Sequence, residues 1–391
     1  MRRIIFIIIV SGLFLTIFNS DIFGIPAFAR KHKLSCKTCH DPYPRLKPFG
    51  EEFAGDGFTI KDKKQLRYFT KTGDDKLSLL RSLPIAVRMD NFLTYNRSNQ
   101  NITDLSLPYN IKLLSGGSLA KNISYYFYFF FSERGKIVGI EDAFIMFNDI
   151  FKTGISLSVG QFQISDPLFK RELRLTYEDY HIYKTRPGLS GLNLTYDRGI
   201  MLNYTFEKGG PDVVLEILNG TGIDEADNFK NFDNDKYKNI FFRISQGLGD
   251  KLRIGASGYF GKEKPGKITN DMWMLGGDLT LSLFPVEINV QYMKRCDKNP
   301  FLTNVNPAEI NTSGGFAELI YTFGGVDSRL YGVALFNWVD SDLNIHDYKS
   351  AAIHLDYLIQ RNIRLVLEAN YIFKGPYGEH IRLLAGLIAA F

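Results

Sequence analysis

The chain has 391 residues, with 47 Lys and Arg against 42 Asp and Glu, and a formal net charge of only +5. Charges of both signs are interspersed along the sequence, which excludes a nucleic-acid-binding protein or another binder of polyanions. There are 32 Phe, 21 Tyr and 35 Gly but only three cysteines, too few for a disulfide scaffold.

The first 29 residues have the pattern of a Sec-type signal peptide. Two arginines follow Met1, residues 4–18 are almost wholly apolar, and Ala27-Phe28-Ala29 offers a small-x-small cleavage site. The apolar run is shorter than the roughly 20 residues of a spanning helix, and a retained membrane anchor is the alternative. Cleavage of the signal peptide would give a mature protein that begins near Arg30, and in both cases we expect the chain to leave the cytoplasm.

The stretch LSCKTCHDPYPRLKPFG, residues 34–50, contains the Cys-x-x-Cys-His signature of c-type haem attachment. Its two thiols bond to the two vinyl groups of the porphyrin, and the adjacent histidine reaches the iron. Cys36 and Cys39 are three residues apart, so one helical turn presents both sulfurs on one side. We therefore expect one covalent haem c, with Cys36 and Cys39 as thioether anchors and His40 as the proximal iron ligand.

Two other kinds of site share this cysteine spacing. A structural zinc site needs a fourth ligand at a repeat spacing, and there is no second pair of cysteines, since the only other cysteine is Cys296. A thioredoxin-like dithiol needs a βαβ context, which the sequence lacks. The sixth ligand of the iron stays open, because axial ligands are often distant in sequence. The candidates are His32, for which a surface position is the alternative, Met89, and a residue of the barrel interior such as His354.

From about residue 81 the chain consists of segments of about ten residues with one apolar and one polar face. In VEINVQY, residues 286–292, apolar side chains alternate with Glu287, Asn289 and Gln291. The same period of two recurs in AAIHLDYLIQ and NIRLVLEANYIF, and similar stretches are 84–96, 121–132, 138–148, 238–246, 251–261, 271–283, 312–323 and 327–338. A bilayer offers no water to hydrogen-bond the backbone groups at the edges of a sheet. A sheet that spans the membrane must therefore close into a barrel, in which every strand is paired on both sides.

This pattern predicts an all-β fold: a transmembrane antiparallel β-barrel of about 16 strands, residues 81–391, preceded by a small, mostly helical haem domain, residues 30–80. A secreted β-sandwich or propeller is the alternative, but its strands are usually shorter. The aromatic run ISYYFYFFF, residues 123–131, suits an interfacial girdle. The last strand, HIRLLAGLIAAF, ends on Phe391 and resembles the C-terminal signal of bacterial outer-membrane barrels, which implies the bacterial outer membrane and its lipid as surroundings.

Two internal stretches, residues 158–184 and 218–237, resemble strands and loops of the phosphate-selective porin group, whose barrels have 16 strands. In the first stretch Ser165-Asp166-Pro167 is a helix-start signal. Residues 167–181 are therefore expected to form a short helix or a constriction loop folded into the lumen, with a strand plus turn as the alternative. The second stretch is rich in Asp and could gather cations, or be a solvated extracellular loop.

The segment IPAFARKHKLSCKTCHDPYPRLKPFGEEFAGDGF resembles the start of the fused monohaem cytochrome–porin family, whose best-known members are outer-membrane iron oxidases. The family pattern is matched by Phe28-Ala29-Arg30-Lys31, the haem motif, Pro44, Leu46 and Gly50, whereas a frequent Asn after the Leu is Lys47 here. The resemblance covers about 35 residues. It implies electron transfer from extracellular Fe(II) to a periplasmic c-type cytochrome or other carrier. A conduit for another donor or with reversed flow, and a solute porin with a haem sensor or gate, are the alternatives.

A domain of roughly fifty residues has little room for a core of its own. We therefore expect it in the barrel mouth, where side chains of the lumen cover the porphyrin. Basic residues around the motif could pair with propionates or dock an acidic cytochrome, with a solvated basic face as the default; they are Lys31, Lys33, Lys37, Arg45 and Lys47.

Overall fold

The computed structural model describes residues 27–60, 69–70, 72–74, 76–97, 101–137, 139–206, 209–325 and 327–391. The predicted signal peptide therefore lies outside the described residues up to position 26, and its cleavage stays a prediction. Within the described residues, no helix is long and apolar enough to cross a membrane.

Sixteen antiparallel strands, β3 to β18, form a closed barrel in which each strand pairs with the next and β18 pairs with β3. A separate pair, β1 (Phe69–Thr70) and β2 (Leu79–Leu80), precedes them. The barrel strands are β3 Ile85–Arg97, β4 Asn101–Ala120, β5 Ile123–Glu133, β6 Gly139–Phe147, β7 Ile155–Gln163, β8 Tyr196–Thr205, β9 Asp212–Leu218, β10 Asn239–Leu248, β11 Leu252–Glu263, β12 Asn270–Leu283, β13 Val286–Asp297, β14 Ile310–Phe323, β15 Leu330–Ser341, β16 Tyr348–Gln360, β17 Ile363–Lys374 and β18 His380–Ala390. The predicted barrel of about 16 strands is confirmed.

Side chains alternate between the lumen and the outer surface, as the period of two predicts. Asn289 and Gln291 of β13 are fully buried in the lumen, whereas Tyr292 is 48% exposed on the outside. On β17, Arg364 is 1% exposed and Leu367 is 56% exposed. An apolar outer face around a polar lumen is the arrangement of a barrel in a bilayer and supports the predicted place in the bacterial outer membrane.

The aromatic side chains of β5 lie on both faces of the barrel wall. Phe131 is 52% exposed on the outside, but Tyr128 and Phe130 are buried in the lumen. The ammonium group of Lys112 lies 4.3 Å from the centroid of the Phe130 ring. The run is therefore only in part the interfacial girdle that its composition predicted.

The two ends of the barrel differ in their connections. At the end where β3 begins and β18 ends, which we call the proximal mouth, neighbouring strands are joined by short turns such as 121–122, 284–285 and 361–362. At the opposite end, the distal mouth, the connections include residues 164–195, 219–238 and 298–309. Because outer-membrane barrels have short periplasmic turns and longer extracellular loops, the proximal mouth faces the periplasm.

The connection between β7 and β8, residues 164–195, folds into the lumen and is called the constriction loop. It contains two short 3-10 turns, Arg171–Leu173 and His181–Lys184. At the far wall the carboxylate of Glu178 accepts hydrogen bonds from Tyr348 at 2.5 Å and Asn370 at 2.7 Å. At the near wall Lys112 donates to Glu172 at 2.8 Å. Of the three sequence-based possibilities for residues 167–181, a short helix, a constriction loop or a strand plus turn, the constriction loop is confirmed.

Candidate functional site

The described part of the predicted haem domain has three short helices, α1 (Ala27–His32), α2 (Cys36–Cys39) and α3 (Pro48–Gly55). We call residues 27–60 the head segment. Its aromatic core joins Phe28, Phe53 and Phe58, with the rings of Phe28 and Phe58 stacked at 4.8 Å. The limits of the predicted haem domain, residues 30–80, stay a prediction, since residues 61–68 lie outside the described part of the chain.

The Cys-x-x-Cys-His motif forms a single helical turn. Cys36 and Cys39 begin and end α2, and both are free thiols. Residues three apart on a helix share one side, so the two sulfurs are presented together. His40 leaves the helix in an extended conformation, with φ −121° and ψ 142°. Burial raises the pKa of both thiols, and near Cys36 the positive charge of Arg361 opposes this effect.

The His40 ring is held by backbone carbonyls. Its Nδ1 lies 2.7 Å from the oxygen of Pro44 and 3.2 Å from that of Arg45, so Nδ1 carries the proton and donates it. Burial lowers the pKa of His40 below its usual value, against the opposing effect of these two hydrogen bonds. A neutral imidazole with Nδ1–H bonded to a carbonyl leaves the Nε2 lone pair for a metal, as metal-ligating histidines usually do.

The segment after the motif folds back onto it. The amide of Lys47 donates to the Cys39 oxygen at 2.8 Å, and His40 forms a β-bridge with Leu46. Helix α3 then crosses so close to α2 that a Cβ on Gly50 would meet the Cys39 oxygen at 2.3 Å. Gly50 is thus required by the close approach of the two helices, and Pro44 supplies the carbonyl that orients His40.

The head segment lies in the proximal mouth and contacts lumen-facing residues of the barrel. The guanidinium of Arg364 donates to the backbone oxygen of Tyr43 at 2.9 Å, and the hydroxyl of Tyr331 lies 3.4 Å from the carboxylate of Asp41. On the opposite wall the ring of Phe58 stacks on that of Tyr126 with centroids 5.1 Å apart. The expected location in the barrel mouth therefore agrees with these contacts.

Part of the basic surface around the motif is bonded to the barrel. Arg45 forms an ion pair with Glu287 of β13, and Lys37 forms one with Asp327 at 2.5 Å. Lys47 donates to the backbone oxygen of Lys37 at 2.9 Å. Of the five basic residues considered as a solvated face or as a docking site, Lys37 and Arg45 are thus ion-paired to barrel carboxylates.

The three candidates for a sixth ligand lie in different surroundings. His32 packs edge-on against Phe53, with ring centroids 5.1 Å apart. Arg88 and Asp90 of β3 bond to each other inside the lumen, so Met89 between them faces the outer surface and cannot serve as a ligand there. His354 is 1% exposed in the lumen wall, and its Nδ1 lies 3.1 Å from Glu368.

Tyr43 and Arg364 were not singled out from the sequence. The alternation in NIRLVLEANYIF assigns Arg364 to the polar face, but its contact with the head segment joins positions 321 residues apart. A single sequence carries no signal for such a pairing. Tyr43 lies beside His40 with ring centroids 4.9 Å apart and would have been found only as a neighbour of the motif.

Comparison with known proteins shows the fold of the barrel. The chain is similar to an anion-selective porin from Comamonas acidovorans, with a TM-score of 0.59 and 11% identity over 79% of this chain and 99% of that one. The channel DcaP of Acinetobacter baumannii is similar with a TM-score of 0.56 and 12% identity. OmpF of Salmonella typhi, in complex with daunomycin, is similar with a TM-score of 0.56 and 10% identity. Each of these two alignments covers 79% of this chain and 97% of the other chain. No protein-family model and no curated protein matches the sequence. The chain is therefore a 16-stranded barrel with the fold of outer-membrane porins.

Proposed function

We propose that the chain is an outer-membrane electron-transfer protein that binds one haem c covalently and moves electrons from extracellular Fe(II) to a periplasmic carrier. The observation that carries the proposal is the Cys36-x-x-Cys39-His40 turn, with its imidazole oriented by Pro44, in the proximal mouth of a closed barrel. The resemblance of residues 25–58 to the cytochrome–porin family supports the same function.

The side chains of the head segment fit a c-type haem. Cys36 and Cys39 offer two free thiols from one turn of helix, as two thioether bonds require. His40 would bind the iron through Nε2, because its Nδ1 is engaged by the carbonyls of Pro44 and Arg45. When bound, the haem supplies one-electron chemistry between Fe(III) and Fe(II) at a potential that axial ligands and burial set.

The barrel would insulate the path of the electron. Its apolar outer face separates the lumen from lipid across a band about 25 Å tall, and the constriction loop crosses the lumen from Lys112 on one wall to Tyr348 on the other. Arg364 and Tyr331 of the barrel contact the head segment, and a haem held there would have a shorter path to the extracellular side than one outside the mouth. In each turnover one Fe(II) becomes Fe(III), and one periplasmic acceptor gains one electron.

The proposal is tested with intact cells, in which only an outward-facing path can deliver electrons from added Fe(II). The α-band absorbance of reduced c-type haem should rise on addition of Fe(II) to cells that produce the protein. Cys36→Ser/Cys39→Ser should abolish covalent haem and this response. Cys296→Ser is the matched control, because this thiol lies at the distal end of β13, and it should leave both unchanged. Wild-type protein without covalent haem would contradict the proposal.

A solute channel is the second candidate function. The porin fold favours it, and so does a lumen cavity of about 1150 Å³ beside the constriction loop, lined by residues such as Arg134, Arg174 and His354. Purified protein in planar bilayers should pass ions poorly if the head segment closes the pore, and readily if the barrel serves solutes. Covalent haem that another donor reduces, but Fe(II) does not, would favour the conduit with a different donor.

A further inference from the structure

Arg364 of β17 is a buried cation whose hydrogen-bonding capacity is only partly used. Its Nη1 donates to Tyr43 in the head segment and to Asp356 on the neighbouring strand. The side chain is 1% exposed, and its Nε and Nη2 have no hydrogen-bond partner among the described residues. A buried N–H without a partner is costly. Within the same part of the chain Asp356 Oδ1 is also unbonded, but this carboxylate is engaged by Nη1, so the two N–H groups of Nε and Nη2 leave a place for a second acceptor.

In two other buried arginines of the lumen, every guanidinium nitrogen has a hydrogen-bond partner. All three guanidinium nitrogens of Arg243 are bonded, to Asp278 and Ser245. Arg295 bonds through all three nitrogens to Asp297 and to the constriction loop. Arg364 differs from both because it offers a free pair of adjacent donors.

The free donors lie beside the haem motif. Arg364 touches Tyr43, whose ring packs against that of His40 at 4.9 Å. Cys36 is close enough to Arg361, in the turn before β17, for that charge to act on its thiol. The motif and Arg364 therefore share the same side of the proximal mouth.

We infer that Arg364 binds a carboxylate through Nε and Nη2, and that this carboxylate is a propionate of the haem held by Cys36 and Cys39. This inference rests on the proposed function. A guanidinium presents two parallel N–H groups that match one carboxylate, and such paired bonds are the strongest that arginine makes. A propionate on Arg364 would join the head segment to the barrel through the cofactor, in addition to the direct contact with Tyr43.

The experiment compares Arg364→Gln with wild-type holoprotein in a redox titration followed at the visible haem bands. Loss of the guanidinium leaves the propionate charge uncompensated, which favours Fe(III), so the midpoint potential should become more negative at neutral pH. A buried carboxylate without a cation also has a raised pKa, so the potential should depend more steeply on pH between about 5 and about 8. Arg364→Lys keeps the charge and should give a smaller shift.

Arg295→Gln is the matched control, because it removes a buried lumen arginine whose described contacts lie with the constriction loop, and it should leave the potential unchanged. If Arg364→Gln fails to fold because Asp356 is left unpaired, the double variant with Asp356→Asn removes both charges. It also removes the N–H donors of the propionate, so the potential should still become more negative, by less than in Arg364→Gln. Equal potentials and equal pH dependence in wild type and Arg364 variants overturn the inference.

Two further outcomes separate the sources of failure. A wild-type potential that varies with added sodium acetate at constant ionic strength would show that Arg364 takes a free carboxylate, and would overturn the assignment to a propionate. Wild-type protein without covalent haem on a denaturing gel would refute the proposed function itself, whereas haem-loaded protein with an unresponsive Arg364 refutes only this inference.

Discussion

Gly50 shows how a single position fixes the geometry of the haem motif. It lies in α3, where the helix passes over the carbonyl of Cys39, and there is no room for a methyl group. The same helix contains Gly55, around which an added Cβ would meet nothing within 4 Å. The two glycines therefore differ in packing while sharing one helix.

Gly50→Ala should destabilise the head segment by about 1–3 kcal/mol, because overpacking forces the backbone of α2 and α3 apart. The yield of covalent haem per protein should fall, as measured by haem staining against total protein. Gly55→Ala is the control and should be neutral or stabilise by about 0.5–1 kcal/mol, since alanine favours a helix more than glycine does. Equal haem yields in the two variants would contradict this account of Gly50.

At the scale of elements, the strands were predictable where the alternation is clean. β13, β16 and β17 follow the expected faces because most of their outward residues are apolar and polar residues alternate with them on the lumen side, such as Gln291, Asp356 and Glu368. β4 was not found, because Pro108 and the pair Gly116-Gly117 interrupt its pattern, and its pairing with β5 is irregular in two places. In β18 the alternation of apolar and polar residues is weaker, because Leu384 and Ile388 are apolar although they face the lumen. They pack there against Phe92 and Val366.

The path of the constriction loop could not be predicted from the sequence either. A helix-start signal at Pro167 indicated an irregular segment, but its course depends on partners on β14 to β18. The carboxylate of Glu178 accepts hydrogen bonds from Tyr348, Asn370 and Arg382. The backbone amides of Tyr177 and Glu178 donate to Glu368. These contacts join residues about 170 to 200 positions apart, a separation at which local patterns carry no information.

Glu178→Ala should release the loop from the far wall. The change removes the acceptor of Tyr348 and Asn370 and the nearer carboxylate of Arg382, which keeps only Glu368 at 3.6 Å. The cost should therefore lie below the roughly 3–5 kcal/mol of a buried ion pair that is broken outright. Single-channel conductance in planar bilayers should increase. Glu225→Ala removes an equal charge from an exposed position in the distal loop 219–238 and should not change the conductance. Unchanged conductance in both variants would mean that the loop is held by its other contacts.

At the scale of the whole molecule, the head segment and the barrel meet through interactions of unequal burial. Arg45 and Glu287 are 20% and 28% exposed, whereas Lys37 and Asp327 are 50% and 69% exposed. Gly57 of the head segment, in a left-handed conformation with φ +69°, passes so close to Ser124 and Asn148 that a Cβ would clash with both. The partly buried pair and this close approach are expected to determine how firmly the head segment is held.

Exchanging charges across the mouth tests this expectation. Arg45→Glu places a second carboxylate beside Glu287, with Glu318 also near, so the head segment should loosen and become cleavable by protease from the periplasmic side. The pore should conduct more as the mouth opens. The double variant Arg45→Glu/Glu287→Arg restores opposite charges and should recover protection and low conductance.

Lys37→Glu is the comparison, because an exposed ion pair contributes only about 0–1 kcal/mol, and protease protection should barely change. If Arg45→Glu and Lys37→Glu were equally protected, the docking of the head segment would depend on its aromatic contact with Tyr126 and on the strand-to-head hydrogen bonds. If both were equally cleaved, long-range charge rather than the buried contact would hold the mouth closed, and added salt would then open wild-type protein as well.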